Sequence, residues 1–232
     1  KTCSDEAEYY APELLTVPRN HSMYEDGGKR FRDGWKGHGR RPTIEHVYFV
    51  TWSRHARKRF EKHRDEVEGR RKFKVEGLRA GNEKRRLRAS ERHCRLGEIG
   101  GNIVPCKHRQ CKLCESIRVG FYPYLRAKQT NTRNADRLGP GLYTTALRQS
   151  TAKSPPLVDH HPAARARAMI SCAVILGKPY RTKTDMPWLR NPPQGHDSVH
   201  AQTGASSNFR ADERVVYIDE AMLPEFIIIY KP

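Results

Sequence analysis

Asp212-Glu213-Arg214-Val215-Val216-Tyr217-Ile218 and, a few residues on, Phe226-Ile227-Ile228-Ile229-Tyr230 stand near the end of a very polar chain. Val, Ile, Tyr and Phe are the best strand formers. Both runs therefore predict core strands, joined by a short link through Leu223-Pro224. Glu213 then sits at the entrance of a buried strand, where a charge is unfavourable unless it has a partner or a chemical task. The plain alternative is a surface carboxylate at a strand end, paired with Arg210 or Arg214.

Working outward, Met169 to Leu176 is a near-continuous apolar run ending at Gly177, again a strand. Gly139-Pro140-Gly141 reads as a turn into a strand over Leu142-Tyr143-Thr144-Thr145, and Pro192 to Gly195 as a turn into Asp197-Ser198-Val199. Lys84 to Ser90 alternates weakly and fits a strand. Thr43 to Val50 has apolar residues at 44, 47, 48 and 50, which fit a helix or a strand equally. Ser53 is a candidate N-cap for a helix over Arg54 to Arg71, whose thin apolar face is Ala56, Phe60, His63 and Val67. A short helix is expected from Lys112 to Val119, stopped by Gly120. Strands dominate the second half, so the fold class is α+β with a mostly antiparallel sheet. Residues 1–42 read as an extended, basic, Gly-rich arm with at most a short helix near Glu13, and residues 43–232 as one folded domain.

The 232 residues carry a formal net charge of +18, which implies an anionic partner: nucleic acid, a nucleotide or an acidic surface. Between Arg54 and Arg95 there are 17 Lys or Arg against 7 Asp or Glu. This tract 54–95 is either a solvated helix face or a nucleic-acid contact. Its only Phe, Tyr or Trp residues are Phe60 and Phe73, so such contact would run through phosphates rather than stacked bases. No apolar run approaches the roughly 18 residues that span a bilayer, so no membrane partner is expected. The chain begins at Lys1 without a signal-peptide pattern, which reads as a fragment or a processed form.

Cys94, Cys106, Cys111 and Cys114 lie close together, the last two as Cys-x-x-Cys, with His108 among them. Thiolates at this spacing suit a closed tetrahedral zinc site, either from all four cysteines or from three plus His108. A disulfide pair or a redox dithiol is the competing reading. Four protein ligands would make the zinc structural, leaving no open position for chemistry. A thiol-rich cluster without a secretory signal points to an intracellular setting, the nucleus included.

Several segments, taken in order, resemble the catalytic domain of the poly(ADP-ribose) polymerase family, the diphtheria-toxin-like ADP-ribosyltransferases. Asn82-Glu83-Lys84 leads into the place of the family's His-Gly-Ser/Thr motif. Gly139 to Tyr143 is similar to its Phe-Gly-x-Gly-Ile-Tyr, and Pro193 to Val199 to its Pro-x-Gly-Tyr/Phe-Asp-Ser-Val. Asp212 to Tyr217 is similar to Asp-Glu-x-Val-Val-Tyr, and Pro224 to Ile228 to Pro-x-Tyr-Leu-Ile. The cysteine cluster resembles the zinc-bearing loop of some members, the tankyrases and fungal relatives among them. The resemblance covers residues 43–232 and implies the ADP-ribosyltransferase fold, a split, mostly antiparallel sheet with an N-terminal helical segment and a zinc-stapled loop.

It also implies NAD as the bound substrate. Carried over by position, Tyr143 would stack on the nicotinamide ring and Glu213 would be the catalytic carboxylate. Ser150 falls near the family's serine that bonds the nicotinamide amide. The His-Gly-Ser/Thr motif reads Arg88-Ala89-Ser90 here: a guanidinium stands in place of the imidazole, where it can bond a ribose hydroxyl or a pyrophosphate. The implied activity is transfer of ADP-ribose, a single unit rather than a growing chain, from NAD to a protein or nucleic-acid acceptor. The alternative is the same fold acting as a catalytically impaired, basic binding module for nucleic acid or protein.

Overall fold

A computed structural model describes residues 12–34, 42–98, 103–130, 136–145 and 166–231. Among them the chain is mixed α+β, with one large sheet of strand order β1-β2-β9-β5-β3-β4-β8-β7-β6. The strands are β1 (Leu14–Thr16), β2 (Thr43–Val50), β3 (Glu83–Ala89), β4 (Leu142–Thr145), β5 (Arg167–Ile175), β6 (Pro179–Thr182), β7 (Ser198–Ala201), β8 (Glu213–Val216) and β9 (Met222–Lys231). The helices are α1 (Ser22–Gly34), α2 (Arg54–Arg71), α3 (Lys112–Val119) and α4 (Tyr122–Thr130). Every neighbouring pair is antiparallel except β6 with β7.

The centre of the sheet is the β5–β9 pairing. Ile227, Ile228, Ile229 and Tyr230 of β9 are fully buried, as are Ile170, Cys172 and Val174 of β5. Burial of each such aliphatic side chain contributes about 1.5–3 kcal/mol, which is why these runs are the most legible part of the sequence. β9 alternates between two cores. Ile227 and Ile229 face the side covered by α2 and α3, whereas Phe226, Ile228 and Tyr230 face the side covered by α1.

Thr43–Val50 is a strand, and its ambiguous spacing has a local cause. Its register against β9 shifts between Ile44 and His46. A bulge inserts one residue and displaces the alternation. Ile44 and Val47 therefore share one core although three residues apart, while Tyr48 and Val50 enter the other. A spacing of three is what makes the segment look helical.

The extended arm expected over residues 1–42 is corrected for its described part. Leu14–Thr16 pairs with β2 as an edge strand, and Ser22–Gly34 is a helix that buries Tyr24 and Phe31. Gly27 weakened the helix reading, since glycine is a poor helix former. In the fold it has a packing role: a Cβ there would come within 3.0 Å of Val47 Cγ1 and 3.3 Å of Phe226 Cγ. The absent side chain lets α1 lie close on the sheet.

α2 begins as expected at Ser53, whose hydroxyl accepts from Ala56 N–H at 3.1 Å. It ends at Lys72, which adopts a left-handed conformation with φ 55°. Among the described residues, β3 meets β4 at the registered pair Leu87 with Thr145. The β3–β4 seam lies between the two sets of strands β1-β2-β9-β5-β3 and β4-β8-β7-β6 of the one sheet.

Candidate functional site

β4 and β8 pair antiparallel over four residues: Leu142 with Val216, Tyr143 with Val215, Thr144 with Arg214 and Thr145 with Glu213. Directly opposed residues share a sheet face and alternate along each strand. Tyr143, Thr145, Val215 and Glu213 therefore project to one side, with Glu213 diagonal to Tyr143. On β7, Val199 and Ala201 continue that face, opposite Val215 and Glu213. Arg214 is on the reverse side.

The Glu213 carboxylate forms no hydrogen bond or ion pair among the described residues, so the pairing with Arg210 or Arg214 is not made. Burial pushes its pKa up, Arg137 opposes this, and Asp136 adds to it. Glu213 is thus a half-buried carboxylate that burial holds above the ordinary glutamate range.

Tyr143 is anchored at its far end. Its hydroxyl accepts from Leu138 N–H and donates to the Gly139 carbonyl, each at 2.8 Å. Burial raises its phenol pKa. Lys128 stands 5.3 Å from the ring centroid and is itself paired with Asp136. Gly139 makes the turn possible: its φ is +74°, and a Cβ there would collide with the Leu189 carbonyl oxygen.

Arg88 is only 7% exposed and points into the fold. Its Nη1 donates to the Tyr143 carbonyl at 2.8 Å, and its guanidinium lies 4.5 Å from the Tyr124 ring centroid and 5.5 Å from that of Phe121. Burial alone would raise the Tyr124 phenol, but Arg88 and then Lys128 more than offset it, so its pKa falls. Arg88 is thus a bridge between β4 and the α3–α4 region. Ala89, at the end of β3, is exposed, and Ser90 follows it half-buried. Ser150 lies outside the described residues.

The ligand atoms of Cys94, Cys106, Cys111 and Cys114 all lie within 4.8 Å of one another. Cys94 Sγ is 3.7 Å from Cys111 Sγ and 3.6 Å from Cys114 Sγ. Sulfurs bound to one tetrahedral zinc at about 2.3 Å stand close to 3.8 Å apart. The four cysteines can therefore hold a metal ion such as zinc. His108 is outside this group and stacks on His93 with ring centroids 5.5 Å apart. Cys111 caps the start of α3 and Cys114 lies in its first turn, so that helix fixes two of the sulfurs. Next to the cluster, Arg92 is 1% exposed and donates to Glu98 Oε1 at 2.9 Å and to the carbonyls of Leu96 and Ala166. This buried pair ties the cysteine loop to the start of β5, a contact the sequence did not signal.

No protein-family model matches the chain, and no curated protein matches it.

Two further features bear on function. A cavity of about 480 Å³ lies between the start of α2 and the end of α3, lined by Trp52, His55, Arg118, Ile117, Leu223 and Pro224. It contains neither Tyr143 nor Glu213. Part of the basic tract 54–95 is paired with carboxylates from outside it. Arg59 pairs with Asp219 and Glu220, Arg70 and Arg71 with Asp197, Arg85 with Glu225, and Arg86 with Asp212. The helical periodicity of the sequence cannot reveal these long-range carboxylates. No described helix is long and apolar enough to cross a membrane.

Proposed function

We propose that the chain is an NAD-dependent ADP-ribosyltransferase whose centre is the Tyr143–Glu213 pair. The observation that carries this reading is the β4–β8 register, which sets a half-buried carboxylate, without a hydrogen-bond partner among the described residues, diagonal to an anchored tyrosine ring on one face.

The chemistry follows from those two groups. Tyr143 offers a ring face for the nicotinamide, held in place through its hydroxyl. When the bond between nicotinamide nitrogen and ribose C1′ breaks, its electron pair leaves with nicotinamide, and positive charge develops on the ribose. Glu213, ionised, stabilises that oxocarbenium-like centre and holds a ribose hydroxyl. An acceptor nucleophile then bonds to C1′ and releases its proton. Transfer of one ADP-ribose unit to protein or nucleic acid is the expected outcome. The metal held by the four cysteines, read as zinc, is structural: all four ligands come from the protein. Incubation with NAD labelled on the adenylate, followed by measurement of free nicotinamide and of label on the protein, tests the reading. Absence of both rejects it.

A second reading has its own observation. Arg88 is occupied by Tyr143, Tyr124 and Phe121, so it does not stand free for a ribose or pyrophosphate. An impaired member of the fold, serving as a binding module, would release no nicotinamide even after Arg88→His and Ala89→Gly are combined.

A further inference from the structure

The reverse face of the β4-β8-β7-β6 half-sheet carries a different chemistry. Alternation sends Thr144, Arg214 and His200 to that side, because Arg214 opposes both Thr144 on β4 and His200 on β7. Arg181 of β6 is registered with His200 and extends the row to an exposed end. Arg86 of β3 closes it from the seam: its Nη2 donates to Asp212 Oδ1 and to the Asp212 carbonyl, both at 2.9 Å. His200 Nε2 lies 3.2 Å from Asp212 Oδ2, and Arg214 Nη2 lies 3.6 Å from the same oxygen.

One carboxylate thus serves two buried guanidinium groups and an imidazole, with Arg181 beside them. Asp212 cannot satisfy them. Arg86 Nε, Arg214 Nη1 and His200 Nδ1 are all buried without a hydrogen-bond partner. His200 is 9% exposed, and the Arg86 side chain 10%. A buried, unsatisfied N–H is unfavourable, more so when charged. Burial first, then Arg86 and Arg181, push the Arg214 pKa down to about 9. Asp212 supplies one negative charge to this group of cations.

We propose that Arg86, Arg214, Arg181 and His200 form a seat for a small oxyanion of the phosphate class, on the sheet face opposite Tyr143 and Glu213. The guanidinium fork matches phosphate oxygens in pairs. Three arginines against one carboxylate leave two positive charges, which suits a dianion better than a singly charged carboxylate. The opening is at Asp212, whose side chain is 31% exposed, and at Arg181. With Arg86 and His200 this deeply buried, the seat suits a free or terminal phosphate better than a phosphodiester flanked by sugars on both sides.

The test is calorimetric titration of the full chain with inorganic phosphate at constant ionic strength, beside an oligonucleotide that lacks terminal phosphates. Saturable binding of one phosphate per chain is expected, with no comparable oligonucleotide binding. Arg214→Gln should weaken phosphate binding about tenfold or more, the loss of one charged hydrogen-bonding partner. Arg181→Gln, at the exposed end of the row, should weaken it several-fold. Asp212→Asn, which removes the competing carboxylate, should tighten it roughly fivefold. Circular dichroism establishes that each variant is folded. Absence of phosphate binding, or binding indifferent to Arg181→Gln and Asp212→Asn, overturns the proposal. Oligonucleotide binding that depends on Arg214 while free phosphate does not bind would assign the cluster to a nucleic-acid backbone and overturn it equally. Binding is read directly, so this result is independent of whether the chain cleaves NAD.

Discussion

Glu213 lies diagonal to Tyr143 across the β4–β8 ladder, because Thr145 takes the position opposite Glu213 and Val215 the position opposite Tyr143. A one-residue slip in this register would send both side chains to the reverse face. Four registered pairs hold it, with Leu142, Val215 and Val216 buried.

The raised pKa of Glu213 makes a signed statement about stability. Burial, the leading cause, holds the proton on more tightly in the folded state than in the unfolded chain. Such a group stabilises the fold below the ordinary glutamate range, and that contribution is lost as pH climbs through the raised folded value. Ionised Glu213 therefore destabilises the fold at neutral pH. Glu213→Gln is expected to melt higher than the wild type at pH 7, with the difference shrinking as the pH is lowered to about 4. A melting series across pH checks this, and a variant that melts lower at pH 7 contradicts it.

Metal content separates the ligand sets. Cys114→Ser is expected to lower bound zinc from about one per chain and to loosen α3, since Cys114 lies in the first turn of that helix. His108→Ala is expected to leave the zinc content unchanged, because His108 stacks on His93 away from the sulfurs. Elemental analysis of the purified variants reads both. Chelation of the wild type should likewise lower its melting temperature.

Arg92 and Glu98 are both buried, 2.9 Å apart. Removing one member of such a pair strands the other charge, at a cost of about 3–5 kcal/mol. Glu98→Ala is expected to lose that much in denaturant unfolding, and to lose zinc as well, because the pair ties the cysteine loop to β5.

Arg88→Ala should remove a charged hydrogen bond to the Tyr143 carbonyl and two ring contacts, about 2–3 kcal/mol in denaturant unfolding. A loss below about 0.5 kcal/mol, the range of ordinary surface substitutions, would mean that Arg88 is not the bridge described above.

The strands that were legible are those whose side chains enter the core on both faces. β5 and β9 read as continuous apolar runs because each face has its own core. α2 was legible from Ser53 and the spacing of Phe60 and Val67. α1 was not, since the Gly27 that lowers its helical propensity is what lets it approach Val47 and Phe226. β6 was missed because Pro179–Thr182 is short, mostly half-buried, and gains its place from pairing with β7. At the candidate site, motif order brought Tyr143 and Glu213 forward together. The inward course of Arg88 was not legible, because its partners Phe121 and Tyr124 lie far along the chain. The same holds for the arginine row: Arg86, Arg181 and Arg214 are brought together only by strand register.

Nicotinamide release from NAD, by the wild type and by Glu213→Gln under identical conditions, is the most direct measurement of the role assigned to Glu213. Wild-type release is expected, with a loss of roughly 100-fold or more in the folded variant, the scale of removing one transition-state electrostatic partner. Release that is equal in both, or absent from the wild type, contradicts it.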